Sequence, residues 1–203
     1  MNRTKINGFI VAAGLSGRMK SFKPLIDYKG KTFIINIILN LGVICDQILI
    51  VTGYKADELK RSVMNDLTKT HQIELLNKIK LVYNESFEKG MFTSLQKGIS
   101  EAKNCEWILY HFVDQPGLPQ NFYKDFIFQI DNQYNWIQPS YKNQNGHPIL
   151  IRKDLFKLLV NSPSDTSLRE ISKNQIVKKK FWDCDYIGIF QDIDTEQDYL
   201  KLQ

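Results

Sequence analysis

The 203-residue chain has no apolar stretch approaching the ~20 residues that a membrane span needs. Its opening, Met1 to Lys5, is polar and runs directly into a strand-like segment, unlike a secretory leader. The reading that follows is a protein neither secreted nor membrane-spanning, expected in the cytoplasm. Low-complexity runs are also missing, and 43% hydrophobic with 24% charged residues is ordinary for a chain that folds. The three cysteines, Cys45, Cys105 and Cys184, are odd in number, far apart and free of CxxC spacing. That argues against a disulfide framework or a zinc or redox site and predicts buried thiols. Two phosphate-binding signatures are absent as well, GxxxxGK[ST] and GxGxxG.

What is present is a basic balance of +5 with its lysines spread out. The one cluster, Lys178 to Lys180, precedes Phe181 and Trp182 like a solvated strand edge, and no stripe of aromatics interleaved with cations speaks for nucleic acid. Small anionic ligands such as phosphates are the simpler inference, because a few well-placed cations suffice to attract them.

Apolar runs at Gly8 to Ala13, Gln47 to Thr52, Lys80 to Tyr83, Trp107 to Val113, Trp136 to Gln138 and Ile149 to Ile151 predict strands. Helical spacing predicts helices over Thr32 to Leu41, with Thr32 as N-cap, and over Ala56 to Met64, Met91 to Ala102 and Gln120 to Ile130. Pro119 is expected at the first helical position of the last of these. Strands separated by helices need crossovers, so the expected fold is α/β, a doubly wound, mostly parallel Rossmann-like sheet with helices on both faces. No linker, repeat or composition shift divides the chain, and one domain over residues 1–203 is expected.

In such sheets ligands lie beyond the carboxyl ends of the strands, where Gly14, Gly53 and Asp114 all fall. The most informative loop runs Ala12-Ala13-Gly14-Leu15-Ser16-Gly17-Arg18-Met19, with Lys23 and Pro24 following. Small residues let a ligand approach the backbone, consecutive N–H groups suit phosphate oxygens, and Arg18 and Lys23 add cations. A polyphosphate is the natural guest.

With that loop the sequence resembles the molybdenum cofactor nucleotidyltransferases, and among them the cytidylyltransferases that act on molybdopterin. The resemblance continues through Val51-Thr52-Gly53-Tyr54, Asn84 to Gly90 with Met91 and Ser94, Asp114-Gln115-Pro116, Gly146-His147-Pro148 and Asp192-Ile193-Asp194-Thr195. Six motifs in order span most of the chain. They imply the nucleotide-diphospho-sugar transferase type of fold, CTP and Mg²⁺ as ligands, transfer of CMP to the terminal phosphate of the molybdenum-bearing pterin, and release of pyrophosphate. Ala12-Ala13-Gly14 favours CTP, since guanylyl-transferring relatives more often open Leu-Ala-Gly-Gly.

By the same resemblance Ala12, Ala13, Gly14, Ser16, Thr52, Asn84, Gly90 and Ser94 line the nucleotide pocket. Arg18 stabilises charge on the triphosphate and leaving pyrophosphate, and Lys23 contacts the α-phosphate. Asp114 is a metal ligand at the end of an apolar strand, with Asp194 as the second Mg²⁺ ligand or else the cap of a helix starting near Thr195. Asn84 has the alternative of simply ending a strand, and Ser94 of sitting in a helix. Gly146, His147 and Pro148 are expected on the acceptor side, His147 as a contact rather than a proton carrier. A transient complex with a molybdenum hydroxylase is a further expectation. The sequence departs from the family pattern at Lys20, where glycine usually follows Arg-Met, and at Gly17. The alternatives are GTP or a sugar or alcohol phosphate as substrate, or a non-catalytic carrier of the pterin.

Overall fold

The computed structural model describes residues 3–15, 17, 19 and 21–201. The first half contains β1 (Ile6–Ala12), the short hairpin strands β2 (Asp27–Tyr28) and β3 (Lys31–Thr32), α1 (Phe33–Ile44), β4 (Gln47–Thr52), α2 (Ala56–Lys69), α3 (Ile73–Asn77) and β5 (Ile79–Tyr83). The second contains α4 (Met91–Glu101), β6 (Trp107–Phe112), α5 (Gln120–Ile127), β7 (Trp136–Tyr141), β8 (Gln144–Asn145), β9 (Ile149–Arg152), α6 (Phe156–Asn161), α7 (Leu168–Ile171), β10 (Lys179–Asp183) and α8 (Glu196–Leu200).

The main sheet has the order β10-β7-β9-β6-β1-β4-β5, with β8 attached to β7. Strand β1 is buried along its whole length because it lies in the middle, parallel to β4 on one side and β6 on the other. Successive side chains of a strand point to opposite faces, so one apolar run serves two cores. Ile48 and Ile50 of β4 join Ile10, Ile37, Leu41 and Phe122 on the face covered by α1, α2 and α5. Leu49 and Val51 join Phe9, Leu95, Ile108 and Leu159 on the face covered by α4 and α6. Each fully buried aliphatic of this kind contributes about 1.5–3 kcal/mol.

The α/β reading holds, with corrections in detail. The sheet is mixed: β9 inserts between β6 and β7 antiparallel to both, a placement that its three-residue apolar run could not signal. Helix α1 starts where expected, but the Thr32 hydroxyl makes no cap bond and is buried without a partner among the described residues. Pro119 occupies the N-cap position rather than the first helical one. Lys179–Asp183 forms the edge strand, with alternating exposed positions. Cys45 and Cys184 are buried, whereas Cys105 is only partly so. Among the described residues no helix is long and apolar enough to cross a membrane.

Candidate active site

The carboxyl ends of β1 and β6 meet around a cleft of about 320 Å³. Its floor is the chain leaving β1, Ala12 to Leu15, and its far wall is Phe87, Glu88, Gly90, Met91 and Ser94. Gly53, just after β4, makes this approach possible. A β-carbon there would lie 2.9 Å from the Ala13 carbonyl oxygen and 2.5 Å from the Phe87 ring. The next residue, Tyr54, donates its N–H to that same carbonyl at 3.2 Å, fixing the floor.

Lys23 enters from a short 3₁₀ turn (Lys23–Leu25) whose Pro24 sets the backbone direction. Its ammonium lies 2.5 Å from Asp194 Oδ1 and 3.5 Å from Asp114 Oδ2. The Lys23 side chain is only 12% exposed, so this pairing is screened far less than a surface ion pair. Asp114 follows β6 at the cleft mouth, and Ile193 N–H donates to its carbonyl at 3.0 Å, bringing the Asp192–Asp194 segment alongside. Burial pushes the Asp114 carboxyl up to about 6; the Lys23 charge opposes this, and Asp192 and Asp194 reinforce it. Asp192 is also raised, mainly by burial, against the hydrogen bond it accepts from Gln115.

The alternatives for Asp194 separate here. The cap of α8 is Thr195, whose hydroxyl accepts from Asp198 N–H while the Asp198 carboxylate accepts from Thr195 N–H. Asp194 is left facing Lys23. Asp114 Oδ1 is buried with no hydrogen-bond partner among the described residues. An unsatisfied carboxylate oxygen beside a second carboxylate is a donor set that suits a small hard cation, whose other ligands come from phosphate oxygens and water. Among the described residues no group of three or more His, Cys, Asp or Glu forms a complete protein cage.

Of the residues singled out from sequence, Ala12, Ala13, Gly14, Lys23, Gly90, Ser94 and Asp114 line the cleft together. Ser16 and Arg18 lie outside the described residues. Thr52 and Asn84, expected in the pocket, stand behind its wall. The Thr52 hydroxyl donates to the Val82 carbonyl, and Asn84 Nδ2 donates to the hydroxyls of Thr93 and Ser94 while its Oδ1 accepts from Ser86 N–H. Asn84 thus staples the end of β5 to the first turn of α4, because β5 is followed by a turn that needs its N–H groups satisfied.

Gly146, His147 and Pro148 do not line this cleft. The His147 ring packs edge-on against Phe112 at 4.6 Å between centroids, and Phe112 itself borders the cleft. Burial lowers the His147 imidazole to about 4, so it is neutral at pH 7. Gly146 presses on Ile189, whose side chain and carbonyl lie 2.5–2.6 Å from where a β-carbon would stand. Leu15, Phe87, Glu88 and Met91, which lie within motifs of the resemblance but were assigned no role, border the cleft as well, as do Phe112 and Val113. The sequence signal of the last two is proximity to Asp114.

A glycine-floored cleft at the carboxyl end of an α/β sheet, with a lysine between two carboxylates at its mouth, suits a phosphate-bearing ligand, and comparison with known proteins gives the class, a nucleotidyltransferase. Residues 8–179 match the MobA-like NTP transferase domain, and the chain belongs to that family. It is 26% identical over 201 residues to the molybdenum cofactor cytidylyltransferase of Escherichia coli (strain K12), covering 98% of this chain and 95% of that protein. It is 21% identical over 212 residues to a probable molybdenum cofactor guanylyltransferase of Bacillus cytotoxicus (strain DSM 22905 / CIP 110041 / 391-98 / NVH 391-98), covering 97% and 96%. Among solved structures, Rv0371c from Mycobacterium tuberculosis H37Rv superposes with a TM-score of 0.82 at 21% identity, covering 100% of this chain and 98% of that one. The same protein has been solved as a complex with manganese, with a TM-score of 0.76 at 19% identity, covering 98% of each chain.

Proposed function

We propose that the chain, acting as one domain over residues 1–203, moves CMP from CTP onto the terminal phosphate of a molybdopterin-type molybdenum cofactor and releases pyrophosphate. The observation that carries this reading is the Lys23 ammonium between Asp114 and Asp194 at the mouth of the Ala13–Gly14 floor. Nucleotidyl transfer is mostly positioning and charge stabilisation, and such a cluster provides both. The Ala12–Leu15 backbone receives the triphosphate. Lys23 turns from the carboxylates to the α-phosphate, and Arg18 meets the charge on the leaving pyrophosphate. A Mg²⁺ ion held by Asp114 and Asp194 would neutralise phosphate charge as a Lewis acid. An acceptor phosphate oxygen bonds to the α-phosphorus as the bond to the bridging oxygen of the β-phosphate breaks. The acceptor is already ionised at neutral pH, so no general base is required. His147, neutral and set behind Phe112, orients the acceptor side with Gly146 and Pro148.

The Ala12-Ala13-Gly14 opening and the cytidylyltransferase relative support CTP; the guanylyltransferase relative keeps GTP as the second reading. These substrates fit a cytoplasmic enzyme that hands its product to a molybdenum hydroxylase in a transient complex. The decisive experiment is pyrophosphate release with Mg²⁺ and molybdenum cofactor, comparing CTP with GTP and wild type with Asp114→Ala. Release with CTP that the substitution abolishes is the expected result. Release with GTP alone changes the nucleotide, and no release with either nucleotide refutes the reading.

A further inference from the structure

Gln115 has no part in the reading above, yet it sits where the two halves of the site join. It is 1% exposed and directly follows Asp114. Its side-chain nitrogen donates to Asp192 Oδ1 at 2.7 Å and to the Ile189 carbonyl at 3.2 Å. The same Ile189 carbonyl accepts the His147 N–H at 3.0 Å. One amide therefore bridges the segment that carries Asp194 and, through a shared carbonyl, the Gly146–Pro148 turn. Asp192 is two residues from Asp194, and Ile193 N–H is bound to the Asp114 carbonyl, so the segment is tied to the end of β6 by a side chain and by the backbone. The other end of the Gln115 amide is not satisfied among the described residues, where Oε1 is buried without a hydrogen-bond partner. A buried, half-satisfied amide is costly, and a methionine of similar shape would fill the same space without that cost. Packing alone does not call for glutamine here, whereas two directed N–H groups do.

The geometry points to Gln115 as a positioning residue that sets the register between the Asp114/Asp194 carboxylates and the acceptor turn. This rests on the nucleotidyl-transfer reading for what the register serves. Gln115 does not itself border the nucleotide cleft, so it reaches the nucleotide only through the carboxylates it positions.

The test is Gln115→Met, with wild type alongside, in two measurements. The first is Mn²⁺ titration followed by the electron paramagnetic resonance of the free ion. The second is pyrophosphate release with CTP and molybdenum cofactor varied in turn. Outer-shell partners of metal ligands are worth roughly tenfold or more in affinity or activity. Expected are Mn²⁺ affinity and acceptor KM each worsened by roughly tenfold. Unchanged Mn²⁺ affinity and acceptor KM, or a fall in kcat with every KM unchanged, overturns the proposal. Should Gln115→Met fail to fold, Asp192→Ala severs the 2.7 Å bond from the solvent side. Weakened Mn²⁺ binding supports the proposal, and wild-type Mn²⁺ binding overturns it. A wild type that transfers nothing to the molybdenum cofactor counts against the proposed substrate, and the Mn²⁺ titration then still decides the role of Gln115.

Discussion

Lowering the pH from 7 to 5 should destabilise the fold, and His111 sets most of the size of the effect. It is fully buried on β6, with Nε2 2.8 Å from the Tyr123 hydroxyl and Nδ1 2.6 Å from the Phe112 carbonyl oxygen. Burial lowers its imidazole to about 4, against an ordinary value near 6.5. The folded value is depressed, so as pH falls through ~6.5 the unfolded chain takes up the proton first. The contribution of the neutral imidazole is complete above that pH and is lost progressively down to about 4. Linkage gives a loss of about 2 kcal/mol between pH 7 and pH 5 for His111. His147 acts in the same direction. Its ring keeps some solvent contact, and we count it for less. Asp114 acts oppositely: its folded value, about 6, is raised, so the folded chain binds the proton more tightly and regains about 1 kcal/mol by pH 5. The net expectation is a loss of about 2 kcal/mol. Urea unfolding at pH 7, 6 and 5 and constant ionic strength measures it. His111→Gln keeps a group able to bond Tyr123 but removes the titration, so its stability should lose about 2 kcal/mol less than wild type over the same interval. A variant with the same pH dependence as wild type would refute the reasoning.

Lys23→Met should reduce pyrophosphate release by at least about a hundredfold, the scale of losing one charge-stabilising donor, and Lys23→Arg should not restore it. The single Lys23 ammonium reaches both carboxylates, and a planar guanidinium fork would present its donors in a different geometry. Gly98→Ala in α4 would put a β-carbon 1.9–2.1 Å from the Phe9 ring and 2.9 Å from Val51. Overpacking of that kind should cost about 1–3 kcal/mol in urea unfolding, and undiminished stability would count against the helix–sheet packing described. Asn84→Ala strips partners from Ser86 N–H and from the Thr93 and Ser94 hydroxyls. It should cost about 1–3 kcal/mol of stability and raise the KM for the nucleotide through a loosened Ser94. A KM increase without loss of stability would instead indicate direct contact with the ligand.

The sequence by itself determined most strands of the main sheet, the four longest helices and where their loops gather, but not the β2–β3 hairpin, β8 or the short helices α3, α6 and α7. Runs such as Gln47–Thr52 are apolar on both faces of the strand, and that property is local, so it shows without any partner. Glycines at 14 and 53 and the aspartate at 114 follow strands directly, so a parallel sheet necessarily brings them to one edge. The tertiary structure decided what depends on distance along the chain. Lys23 and Asp194 are 171 residues apart, and no periodicity in either neighbourhood records that they meet. Asp194 faces Lys23 because Thr195 and Asp198 supply the cap, a choice among adjacent polar residues that only backbone geometry makes. Asn84 turns inward to Thr93 and Ser94 rather than to the cleft, and β9 runs against its neighbours, because each satisfies partners contributed by other elements. The bridge from Gln115 to Asp192 and Ile189 is of the same kind: two motif residues and one without any signal, joined because the chain's last segment returns to the end of β6.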